Sequence, residues 1–147
     1  MKYKEIERII LVFIILIILF SFIFISFYKW TKLSLILGFL AGASLSFIFF
    51  IFRELFSYKI VLYRKKGAIF LSFIQFTINA ILTIVITTLI FWINSKSFEN
   101  GTNLYLEHSK KYLFYPFNFI TYIFGLSIVK ISILFSLIKF KERRLKK

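Results

Sequence analysis

Four apolar runs, Ile9–Tyr28, Leu33–Phe52, Ala68–Ile93 and Leu113–Ile138, fill most of this chain. As helices rising ~1.5 Å per residue, each is long enough to cross a hydrocarbon core of about 30 Å. No acidic side chain interrupts any of them. A soluble bundle would bury one apolar stripe per helix, whereas these segments are apolar on nearly every side, as helices exposed to lipid are. Lipid offers no hydrogen bonds, so a spanning backbone must satisfy its own polar groups. The expected fold is all-α: a polytopic membrane protein with four transmembrane helices in two antiparallel hairpins, forming a single domain over residues 1–147.

Composition points the same way. Hydrophobic residues make up 60% of the 147 residues and mean hydropathy is +0.87, outside the range of a soluble domain with a polar surface. Lys2, Lys4 and Arg8 ahead of the first run resemble the basic start of a secretory signal. The run is too long for one, however, and Ser26–Thr31 offers no small-x-small cleavage site, so a retained helix is expected. The 22 Phe, with a usage rich in Ile, Lys and Asn, suggest an AT-rich, bacterial genome.

A net charge of +14 in a soluble protein would suggest nucleic acid. Here the basic residues lie at the borders of the apolar runs, and no nucleic-acid partner is expected. Fourteen Lys and Arg stand before the first run, between the second and third, and after the fourth; five stand in the other two connections. The positive-inside rule therefore places both termini and the middle loop in the cytoplasm of a cell-membrane protein.

The connections are short or basic. Lys29–Lys32 closes a tight hairpin, with Tyr28 and Trp30 suited to the interface. Arg53–Lys66 mixes apolar and basic residues; it reads first as a generic basic loop whose charges topology alone demands, and second as a continuation of the second helix beyond the bilayer or along anionic headgroups. Asn94–Tyr112 reads as a polar outer loop with a turn at Asn100-Gly101. Asn100-Gly101-Thr102 also fits the N-glycosylation pattern, which matters only in a eukaryotic secretory compartment. Pro116 falls in the first turn of the expected fourth helix, where a missing amide costs nothing.

Little supports catalysis, and no enzyme activity, cofactor or metal is expected. The chain has no cysteine and one histidine, His108, beside Glu107 in the outer loop. One imidazole without clustered carboxylates is a poor metal site. No phosphate-binding glycine loop or nucleophile triad is readable.

Three intramembrane features remain. The second run carries Gly38-x-x-x-Gly42-x-Ser44-x-Ser46, a strip of small residues on which another helix can approach closely. It serves either packing within the monomer or an interface with another subunit, including a second copy. The third run places Gln75, Asn79, Thr83 and Thr87 four residues apart on one face. That face should point into the bundle or an oligomer, as polar glue or as a conduction path. The fourth run holds Lys130, the one charge deep inside a span. Lys130 either snorkels to the interface or meets a buried partner. Gln75, Ser46 and Lys130 lie ~12, ~10 and ~13 Å from the cytoplasmic side, counting residues, and a polar cluster of Gln75, Asn79, Thr83 and Lys130 is the corresponding expectation.

The order of these features resembles the ATP synthase protein I family (AtpI, or UncI), small four-helix membrane proteins encoded beside bacterial F-type ATP synthase subunits. The resemblance rests on the string from Gly38 to Phe47, on Lys65-Lys66-Gly67-Ala68 opening the third helix, and on Gly125-Leu126 within the last. It implies a non-catalytic accessory role in the assembly of the ring of c subunits. Gln75 stands where the family often has a basic residue, and Lys130 matches no family motif. A small transporter or channel and a phage holin are the alternatives. Proton-coupled multidrug exporters depend on an intramembrane Glu that these runs lack.

Overall fold

A computed structural model describes residues 3–31, 33–62, 65–99 and 113–145, all but a few of them helical and none of them in a strand. The helices are α1 (Tyr3–Ser26), α2 (Tyr28–Thr31), α3 (Ser34–Leu62), α4 (Lys65–Glu99) and α5 (Phe119–Leu145). All except α2 are long and apolar enough to cross a membrane, over Glu5–Ser26, Ser34–Ser57, Gly67–Ser97 and Phe119–Leu137. Many of these residues are Ile, Phe and Thr, which favour strands in water. A helix nevertheless pairs each interior N–H with a C=O of the same segment and needs no neighbour to do so.

Helix ends differ from the edges of the apolar runs, because apolarity marks where a span lies and local hydrogen bonds mark where a helix stops. α1 ends at Ser26, and Tyr28–Thr31 forms a helical turn where a bare connection was expected. That turn is held by the amides of Trp30 and Thr31 donating to the carbonyl of Phe27, both at 3.1 Å. α3 runs to Leu62 and α4 starts at Lys65, so most of the basic segment Arg53–Lys66 is helical. α4 continues through Asn94 to Glu99, which corrects the reading of Asn94 as the start of a loop. The rest of that expected loop, with Asn100-Gly101-Thr102 and His108, lies outside the described residues.

The last helix is also corrected. It begins at Phe119 rather than Leu113, and Pro116 lies in the turn before it. Asn118 is the reason: its Oδ1 accepts hydrogen bonds from the amides of Ile120 (3.0 Å) and Thr121 (3.2 Å), two donors that a helix start leaves without partners.

The chain divides into two compact units, one of residues 1–46 and 116–147, the other of residues 47–115. In the first, α1 packs on α5. Phe20 and Phe24 of α1, Phe39 of α3 and Phe124 of α5 form its aromatic centre. Phe20 meets Phe124 edge to face at 4.8 Å between ring centroids, and Phe24 meets Phe39 likewise at 5.2 Å. Edge-to-face rings gain about 0.5–1.5 kcal/mol per pair beyond area burial. Phe39 is fully buried. The second unit contains the end of α3 and all of α4, with Phe47 stacked near Phe50 at 6.5 Å.

Candidate functional site

Three glycines decide how α3 and α5 meet. A Cβ on Gly38 would collide with the carbonyl oxygen of Asn118 and stand 2.5 Å from the Thr121 hydroxyl. One on Gly42 would collide with the carbonyl oxygen of Tyr122 and stand 3.0 Å from the Leu126 amide nitrogen. From the other side, a Cβ on Gly125 would collide with the carbonyl oxygen of Phe39 and stand 2.7 Å from the Ala43 amide nitrogen. The crossing is therefore reciprocal, each helix presenting glycine to the other's backbone. Backbones this close suit Cα–H···O contacts and leave no gap for lost dispersion.

The crossing is fixed at one end by hydrogen bonds. The amide of Asn118 donates to the carbonyl of Ser34 at 3.1 Å, joining the first residue of α3 to the cap of α5. The Ser34 hydroxyl donates to the Thr31 carbonyl at 2.9 Å, and the Thr121 hydroxyl to the Asn118 carbonyl at 3.1 Å. Ser34, Asn118 and Thr121 are all buried. Polar side chains at this end thus satisfy the backbone at the helix ends.

The small-residue strip is not uniform. Gly38 and Gly42 are buried against α5, Ser46 is buried, and Ser44 is exposed. The glycine part of the strip is thus occupied within the chain.

On α4, Gln75, Asn79, Thr83 and Thr87 are each half-buried. The Thr83 hydroxyl donates to the backbone carbonyl of Asn79 at 2.8 Å, a bond within its own helix. The Asn79 Oδ1 is buried and meets no donor among the described residues. Asn94, four turns further along, is almost fully buried. Its burial was hidden in the sequence, where a lone Asn beside Ser95 and Lys96 looks like the start of a loop.

Lys130 is exposed and has no hydrogen bond or ion pair among the described residues. Ile123, Ser127, Lys130, Leu134 and Leu137 follow at steps of four and three, which puts them on one side of α5. Ile123, Leu134 and Leu137 are exposed as well. The other side, with Tyr122, Gly125, Ile128, Val129 and Ser132, is buried. Gln75, Asn79 and Thr83 belong to the second unit and Lys130 to the first. Among the described residues, no group of three potential metal ligands occurs.

No protein-family model, curated protein or solved structure matches this chain.

Proposed function

We propose that this chain is a multi-pass protein of the cell membrane, with four spans in two antiparallel hairpins and both termini in the cytoplasm, and that it acts by helix packing in an accessory or assembly role. The observation that carries this reading is the contrast between the two sides of α5. One side is closed by the glycine crossing, and the other exposes Ile123, Leu134 and Leu137 around a single charge. A helix built this way is rigidly held from behind and free to meet a lipid or protein surface in front. The basic residues at the span borders support the orientation.

The partner proposed first is the ring of c subunits of an F-type ATP synthase. It follows from the likeness of Gly38 to Phe47, with Gly125-Leu126, to the ATP synthase protein I family. In the test, the tagged full chain is extracted from its own host's membranes in mild detergent and the captured proteins are identified by mass. Recovery of c subunits in proportion to the tagged chain is expected. Their absence, with the tagged chain intact, rejects this partner.

A further inference from the structure

Lys130 sits two residues past the middle of the apolar stretch Phe119–Leu137, ~3 Å from its centre at ~1.5 Å per residue. Taking that stretch as the span proposed above, the ammonium lies deep in hydrocarbon, where a charge needs an anion or water. The nearer edge is at Leu137, seven residues and so ~10 Å away. Along a helix every Cα–Cβ bond leans toward the N-terminus, here away from that edge. Snorkelling toward Leu137 therefore runs against the lean of the side chain, and the edge toward which it leans is the more distant one, at Phe119.

An anion from this chain is not at hand. Its six acidic residues are Glu5, Glu7, Glu54, Glu99, Glu107 and Glu142. None falls in the middle of any of the four apolar stretches, and Lys130 pairs with no described residue. A second copy would bring the same six. A carboxylate at this depth therefore has to come from a different membrane protein.

We propose that the exposed side of α5 around Lys130 docks a membrane-spanning helix of another protein, one that carries an aspartate or glutamate at the depth of Lys130. Charge complementarity selects the partner: a carboxylate and an ammonium that meet in lipid each offset part of the other's cost of desolvation. Ser127, one turn before Lys130, is small enough to let that helix come close. Ile123, Leu134 and Leu137 supply apolar contact above and below the pair.

The test uses the full chain in phosphatidylcholine vesicles with synthetic, fluorescent, single-span leucine-rich helices bearing Asp, Asn or Leu at their midpoint. Energy transfer reports association. The Asp helix is expected to bind wild type about tenfold more tightly than the Leu helix, the size of one interhelical polar contact in a membrane. Lys130→Met should abolish the advantage and Lys130→Arg should keep it, while Lys130→Glu should prefer a helix bearing Lys. Equal binding of the Asp and Leu helices to wild type would mean that headgroup phosphate satisfies Lys130, and would overturn the proposal. So would an Asp advantage that survives Lys130→Met. Resistance of the chain to carbonate extraction is scored in the same vesicles. Failure to insert rejects the membrane reading and this one together, whereas insertion with equal binding rejects only the docking helix.

Discussion

The carbonyl oxygen of Tyr122 occupies the place where a side chain on residue 42 would begin. Gly42 is thus required by the backbone of α5, on which it rests, and neither flexibility nor a turn is involved. In an exposed helix, Gly42→Ala would stabilise by about 1 kcal/mol through helix propensity. Here the sign reverses. Gly42→Ala is expected to cost about 1–3 kcal/mol through overpacking, and Gly42→Leu more. Unfolding in mixed micelles, followed by loss of helical circular dichroism, measures it; Ser44→Ala, on the exposed part of the same strip, should change little.

Removing the cap of α5 tests the other end of the crossing. Asn118→Ala deletes the acceptor for the amides of Ile120 and Thr121 and should cost about 1 kcal/mol. Asn118→Asp retains an acceptor and should recover most of the loss in the same micelle unfolding assay. Equal stability of all three proteins would show that the cap does not set the start of α5.

Phe39 touches the rings of Phe20, Phe24 and Phe124 and is fully buried. Phe39→Ala should therefore cost about 3–5 kcal/mol, because the cavity left between three helices cannot close completely. Phe22→Ala removes an equally large ring from a position 69% exposed and should have a small effect. A similar loss for the two variants would contradict the aromatic centre.

The four long helices were legible because length and apolarity are properties of a segment alone. Their ends were less so. The apolar run beginning at Leu113 hid the true start of α5, although Asn118 two residues after Pro116 was a readable cap signal. Gly38 and Gly42 were recognisable as a packing strip, but a strip does not name what lies on it, and Gly125 drew notice only through a family likeness. The aromatic centre could not be picked from 22 Phe. Where both sides of a helix are apolar, periodicity no longer separates inside from outside. Lys130 stood out in the sequence as a charge in an apolar run, yet which side of α5 it takes depends on the glycine crossing.

The membrane arrangement proposed for this chain is four crossings with both ends inside. Because it has no cysteine, single cysteines introduced at Ser57, Ser109 and Glu142 report their own side without background. In intact cells, a membrane-impermeant maleimide is expected to label Ser109→Cys, and to label Ser57→Cys and Glu142→Cys only after the membrane is opened. Labelling of Ser57→Cys or Glu142→Cys in intact cells, or protection of Ser109→Cys, would contradict the four-span, both-ends-in arrangement.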